Sequence, residues 1–320
     1  MSRSTDSDDT SRDAGAANGV VRRDVRFRSG DADIAAWLYL PIGDGPWPAV
    51  VLGHGLGGIK EMGLGPYSER FATAGFVALA FDYRHFGESG GEPRLLLDIG
   101  RQLADWQAAV AFVRGLAEVD PARVALFGSS FGGGHAIVTA SRDPGLAAVI
   151  AQCPFTDGFA SARATGMRTK LGLGALFVRD ELARLRGAAP VRAPLAGPPG
   201  TAALMTAPDA MAGHRALVPD GIEHPDAVPA RVAPRITLYR PTRHAARVRA
   251  PILFCVCDRD SVAPAAAALR CAAKAPAAEV VRYPIGHFEI YKGEPFERAV
   301  IDQVEFLARH LRPAAGADQG

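Results

Sequence analysis

The 320-residue chain predicts an α/β fold, with a mostly parallel central sheet flanked by helices and an inserted cap. Three observations carry that expectation. Short apolar runs alternate with longer segments whose apolar residues recur at helical spacing. The runs are apolar throughout, as strands buried on both faces require. The alternation stops after Pro154 and resumes at Pro251, too long a gap for a structureless loop in a compact protein.

Each element follows in order. Residues 21–41 hold two strand-like runs, VRRDVRF and IAAWLYL, around the turn signal SGDAD, and predict a hairpin. PWPAVVLGHG is apolar over 49–52 and stops at glycine, as a buried strand does. A helical segment over about 67–74 leads to the strand FVALAFDYR, and HFGESGGEPR is a loop by composition. LLLDIGRQLADWQAAVAFVRGL sets Ile99, Leu103, Trp106, Val110 and Val113 at helical spacing and is expected to end near Asp120 and Pro121. RVALFG, HAIVTASR and LAAVIAQCP then read as strand, helix and strand. The insertion opens with a helical segment over 160–185 and continues through the Pro- and Gly-rich AAPVRAPLAGPPG and VPDGIEHPDAVPARVAP. PILFCVC is the next strand. A helix over 264–274 follows, with Pro264 suited to its first turn. AEVVRYP is a strand, PIGHFEIY a loop, and FERAVIDQVEFLARHLR an amphipathic closing helix. The expected organisation is a disordered tail over 1–20, a core of 21–154 and 249–313, a cap over 155–248 lying across one edge of the sheet, and a flexible C terminus over 314–320.

Composition narrows the partners. There are 36 basic and 34 acidic residues, a net charge of +2, and neither sign forms a long run. Neither nucleic acid nor a membrane surface is an expected partner. Cys153, Cys255, Cys257 and Cys271 lack metal-site spacing, and Cys255 and Cys257 fall on one face of a strand. A buried structural role in a reducing cytoplasm is the expectation. The polar first twenty residues do not read as a secretory signal, and no apolar stretch is long enough to span a membrane. The sequence leaves oligomeric state, a homodimer included, open.

The chemistry gathers at FGSSFGGG, residues 127–134. Gly128-Ser129-Ser130-Phe131-Gly132 matches Gly-x-Ser-x-Gly between a strand and a helix, with Ser130 central, whereas Ser129 is flanked by Phe127 and Phe131 and fails the pattern. Gly128 and Gly132 are expected to clear the turn around the serine, and Gly133 and Gly134 to let the helix approach neighbouring strands. A hydroxyl is a weak nucleophile and needs a base. Of eight histidines, His287 follows the last strand after Gly286, on a loop reaching the sheet's carboxyl edge. His54, His85 and His135 come too early, His214, His224 and His244 lie in the insertion, and His310 is on the closing helix. An imidazole base implies activity falling below about pH 6. The orienting acid should stand just past PILFCVC. Asp258 and Asp260 both qualify, with Asp260 better placed to turn toward the histidine and Arg259 able to shield either. HGLGG, residues 54–58, follows the third strand, so the amides of Leu56 and Phe131 are expected to form an oxyanion hole supported by His54 and Gly55.

With HGLGG, GSSFG, CDRDSVAP and GHFEIY in this order, the chain resembles the α/β-hydrolase superfamily from about residue 22 to 312. FDYRHFGESGGEPR and GHFEIY look like a branch of acetylxylan-esterase-like and dipeptidyl-peptidase-like hydrolases that also holds enzymes similar to fungal polyketide acyltransferases. Residue by residue, the resemblance implies Ser130 as nucleophile, Asp260 as acid, His287 as base, and Leu56 and Phe131 as oxyanion donors. It implies no metal and no organic cofactor. Cys257 stands where many members carry glycine.

The expected function is hydrolysis of an ester or thioester of a small to medium, fairly apolar substrate through an acyl-Ser130 intermediate. Capture of the same intermediate by an alcohol or amine, as an acyltransferase, is the alternative. A peptidase or a non-catalytic binding protein ranks lower. Leu171, Leu173, Leu176, Phe177, Leu195, Leu204, Met205, Met211 and Tyr239 of the insertion either line the cleft or form the cap's own core.

Overall fold

The apolar runs become the centre of one sheet. The computed structural model describes residues 12–17, 19–224 and 226–311. Its strands, in chain order, are β1 (Arg12–Ala17), β2 (Val20–Ser29), β3 (Ala32–Pro41), β4 (Trp47–Gly53), β5 (Val77–Phe81), β6 (Val119–Ser129), β7 (Ala148–Gln152), β8 (Arg192–Pro194), β9 (Ala227–Pro229), β10 (Ile252–Cys257) and β11 (Ala278–Tyr283). The helices are α1 (Leu64–Thr73), α2 (Ile99–Arg114), α3 (Phe131–Ala140), α4 (Gly158–Ala164), α5 (Met167–Leu185), α6 (Ala210–Ala216), α7 (Ala233–Leu238), α8 (Ala265–Ala272) and α9 (Gly293–Leu311).

Among the described residues the main sheet runs β1-β2-β3-β5-β4-β6-β7-β10-β11. From β5 to β11 every pairing is parallel, while β1, β2 and β3 join antiparallel at one side. Successive residues of β4 show why its run is apolar throughout. Val50 and Leu52 pack with α1 and α9 residues such as Tyr67, Phe71 and Phe306. Ala49 and Val51 face the opposite layer, with Trp106 of α2 and Ile137 of α3. The chain leaves β4 toward β5 and then crosses to β4's other side for β6. That reversal opens a crevice at the carboxyl ends of β4 and β6, where open α/β sheets place their ligands.

Three expectations are corrected. Part of the tail read as disordered, residues 12–17, forms β1 and pairs antiparallel with β2; the backbone of β2 needs a partner along that edge. Residues 1–11 and 312–320, including the expected flexible C terminus, lie outside the described residues. The second helix ends at Arg114, short of Asp120, because Val119 already pairs with Trp47 in the sheet. The helical stretch over 160–185 is two helices, broken where Thr165 turns extended at ψ 133°. Asp157 caps the first of them by accepting from the amides of Phe159 and Ala160.

The insertion has its own frame. β8 pairs antiparallel with β9. The buried Asp180 of α5 accepts two bonds from the Arg231 guanidinium, at 2.7 and 2.8 Å, and one each from the amides of Val191 and Arg231. All of its acceptor capacity is thereby used, which a buried carboxylate requires. This knot ties α5 to both ends of the Pro-rich region.

Glycines in core and cap should respond oppositely to a methyl group. At Gly132 a Cβ would stand 2.5 Å from the His54 carbonyl oxygen and 2.6 Å from that of Gly53. Gly132→Ala is expected to lower stability in urea unfolding by roughly 1–3 kcal/mol. Gly174, inside α5, has nothing within 4 Å of its Cβ position, so Gly174→Ala should raise helix stability by up to about 1 kcal/mol.

Candidate active site

Ser130 joins β6 to α3 at φ 56° and ψ −117°, a backbone conformation that costs a residue with a side chain. Its surroundings impose it. The Ser130 amide donates to the Gln152 carbonyl at 2.9 Å, and its own carbonyl accepts from the amides of Phe155 and Gly133. A Cβ at Gly128 would lie 2.1 Å from the Gly132 carbonyl oxygen, so no side chain fits inside the bend. Gly132 is required for a different reason than the expected clearance of the serine. It lets α3 pack against the end of β4, at the carbonyls of Gly53 and His54. Gly133 and Gly134 face the Pro154–Phe155 segment, not strands alone, with Phe155's carbonyl oxygen 2.4 Å from the Cβ position of Gly134.

The expected partners meet Ser130. His287 Nε2 lies 3.0 Å from Ser130 Oγ, and His287 Nδ1 lies 2.6 Å from Asp260 Oδ2. With Nδ1–H donating to the carboxylate, Nε2 is left as the acceptor for the serine hydroxyl. Asp260 Oδ1 accepts from the amides of Val262 and Ala263, which fixes the carboxylate. Asp258 takes no part; it accepts from Arg282 Nε at 2.8 Å. Arg259 shields neither acid, being exposed and 3.9 Å from Glu289. Burial opposes a charge on His287, but the Cys153 sulfur and the Asp260 carboxylate beside it outweigh burial and raise its pKa well above the ordinary imidazole value.

The amides of Leu56 and Phe131 have no hydrogen-bond partner among the described residues. Phe131 is the first residue of α3, where amides have no acceptor within the helix. Gly55 brings the other loop close, since its Cβ position is 3.1 Å from Ser130 Cβ. His54 holds this loop by donating from Nδ1 to the Gly55 carbonyl at 3.0 Å.

Ser129 serves another purpose that the motif does not reveal. Gln303 Nε2 donates to Gln152 Oε1, Gln152 Nε2 donates to Ser129 Oγ, and Ser129 Oγ lies 2.5 Å from Tyr291 OH. This buried chain links α9, β7 and β6 to the loop carrying His287. Gln152, Tyr291 and Gln303 are separated by too many residues for sequence spacing to suggest it.

Among the described residues two clusters have metal-ligand character. Cys153, Asp260 and His287 place donor atoms within 4.8 Å of one another, but both imidazole nitrogens are already engaged. Glu61, Asp82 and Glu88 surround the Lys60 ammonium, which pairs with all three and occupies the place of an ion.

Two cavities open on Ser130. The larger, about 560 Å³, runs beneath the cap, and Leu56, Phe131, Leu173, Phe177, Leu204 and Met205 are among its walls. The smaller, about 40 Å³, adjoins His54, His214, His287 and Tyr291. Of the insertion's apolar residues, Leu171 and Met211 are exposed, whereas Leu195 is buried and Tyr239 packs on Phe131 and Phe155. His214, set aside in the sequence because it lies in the insertion, is a wall of the smaller cavity.

A base must be neutral to accept a proton. Because the His287 pKa is raised, the acid limb of kcat/KM should have its midpoint above 6.5, higher than an ordinary imidazole implies. Asp260→Asn should move that limb downward and cost roughly 10⁴-fold in kcat, while Asp258→Asn stays near wild type. A pH–rate series on the three proteins checks both.

Comparisons with known proteins give the family. The pattern of the X-Pro dipeptidyl-peptidase (S15) family matches residues 29–186. The quorum-quenching protein AidA of Acinetobacter baumannii is 51% identical over 286 residues, 89% of this chain and 94% of that protein. A thiohydrolase of Aspergillus aculeatus is 37% identical over 120 residues, 38% of this chain and 37% of that protein. The solved α/β hydrolase GrgF from a Penicillium species superposes with a TM-score of 0.77 at 24% identity, over 91% of this chain and 99% of that one. The chain has the α/β-hydrolase fold and belongs to the family of the quorum-quenching protein AidA.

Proposed function

We propose that the protein is a serine hydrolase that cleaves an ester or thioester whose acyl group lies in the larger cavity. The hydrogen-bonded line Ser130–His287–Asp260, with Ser130 on the wall of that cavity, carries the proposal. Ser130 Oγ attacks the acyl carbon as His287 Nε2 takes the hydroxyl proton. The carbonyl oxygen, now negative, accepts from the amides of Leu56 and Phe131. The tetrahedral species collapses, and the leaving group departs with the proton from His287. Water then repeats the sequence, giving up its proton to His287 and releasing the acid from Ser130.

The cavities favour one orientation. His287 must reach the departing atom, and it borders the smaller cavity but not the larger. The leaving group therefore occupies the small side and the acyl chain the large, apolar one. Among the described residues Lys170 is the only charged one lining the larger cavity, and none supplies a carboxylate for a peptide's ammonium. An ester or thioester fits it better than an aminopeptidase substrate. Hydrolysis is favoured over acyl transfer because the small side has little room for an acceptor larger than a few atoms. The name of the AidA relative supports a small signalling molecule as the natural substrate.

A fluorophosphonate probe should label the wild-type protein and not Ser130→Ala; labelling that persists in the variant would overturn the role of Ser130. Across p-nitrophenyl esters from acetyl to decanoyl, kcat/KM should rise about three- to fourfold per methylene until the cavity is filled. A series that peaks at acetyl would reverse the proposed orientation.

A further inference from the structure

We infer that His54 and His214 form a leaving-group subsite selecting a small departing group with its own O–H or N–H donor. The inference rests on the hydrolase function proposed above. It concerns only what departs, not the acyl chain.

The small cavity is walled by apolar side chains, among them Met62, Leu64, Met205 and Leu217, interrupted by polar groups. Ser130 and His287 perform the chemistry, and the Tyr291 hydroxyl is bound to Ser129. His54 and His214 remain. They are only 2% and 7% exposed, and the Nε2 of each has no hydrogen-bond partner among the described residues. Buried polar atoms rarely go unpaired, and two unpaired imidazole nitrogens on residues that line one cavity point to a ligand.

The chemistry of that ligand follows from the tautomer of His54. Its Nδ1 faces the Gly55 carbonyl, which can only accept, so the ring proton is on Nδ1. Burial, with a smaller contribution from His224, holds the His54 pKa down to about 3 against the opposing effect of the Gly55 carbonyl, so the ring is neutral near pH 7. Burial likewise brings His214 down to about 4, with His224 again adding to the effect. His224 packs beside it, ring centroids 5.4 Å apart. The Nε2 of His54 is therefore a buried, bare lone pair on a residue that lines a mostly apolar cavity. It is satisfied by a donor hydrogen, and a purely alkyl leaving group leaves it unpaired. At about 40 Å³ the cavity admits only a few atoms beyond the departing oxygen or sulfur.

Two octanoate esters of matched size separate the possibilities, 2-hydroxyethyl octanoate and propyl octanoate. Wild-type protein should prefer the hydroxyethyl ester about tenfold in kcat/KM, the penalty of one unpaired buried acceptor. His54→Leu should lower turnover of both esters, because the loop also loses its Nδ1 bond to Gly55, and should bring their ratio close to one. His54→Gln, whose amide oxygen also accepts, should retain part of the preference, and His214→Leu should reduce it. The wild-type ratio needs no variant, so a variant that fails to fold leaves the test intact. Equal turnover of both esters by wild type, or an undiminished preference in folded His54→Leu, overturns the subsite while leaving the hydrolase function standing. Failure to hydrolyse either ester, together with absence of fluorophosphonate labelling, overturns both.

Discussion

The site depends on one strained bend. A residue with a side chain held at positive φ outside helices or strands costs on the order of 1–3 kcal/mol. Ser130 persists there because its neighbours leave no alternative. The Gln152 carbonyl takes its amide, Phe155 and Gly133 donate to its carbonyl, and the inside of the bend is too narrow for any side chain at Gly128. The same bend begins α3, so the free amide of Phe131 arises beside the hydroxyl it is proposed to assist. The proposed nucleophile and one proposed oxyanion donor are thus products of a single backbone distortion. The second donor is brought near because Gly55 lets the loop after β4 lie against Ser130.

The two adjacent serines show how strand geometry divides labour. Successive residues at the end of β6 face different ways. Ser129 enters a buried chain that runs from Gln303 of α9 through Gln152 of β7 to Tyr291. Such a chain is rigid when each member is satisfied. It anchors the loop bearing His287 to the strand that presents Ser130. The imidazole's position then depends on more than its bond to Asp260.

Much of this was legible in the sequence because it is written locally. Ser130 lies in a five-residue pattern, and His287 and Asp260 follow recognisable strands at the sheet's carboxyl edge, so strand order places all three together. Asp258 and Asp260 were harder to separate. The deciding fact is Arg282 on β11, which claims Asp258 through the register of two parallel strands. The walls of the cavities were less legible still. His214 reaches Ser130's neighbourhood through a Pro-rich insertion with no repeating pattern, and Leu171 and Phe177 share α5 yet one is exposed and the other lines the cavity. Hydrophobicity tells which residues avoid water, but not whether a helix face meets its own domain, a cavity or solvent. The β1 pairing was hidden for a similar reason, because a polar segment can be held by backbone bonds that composition does not report.

The placement of the small cavity also bears on the second half of the proposed reaction. Deacylation requires water where the leaving group has been, within reach of His287 Nε2 and opposite the departing bond. That is the cavity bordered by His54 and His214. A lone pair that accepts from a departing hydroxyl can accept equally from water, and the cavity is large enough to hold it. Two neutral imidazoles there would orient water's second hydrogen while His287 removes the first. The same two residues would then select a donor-bearing leaving group and hold the water that replaces it. The larger cavity is not bordered by His287, so attack from the acyl side is disfavoured. Hydrolysis and leaving-group selectivity become two consequences of one arrangement of buried acceptors.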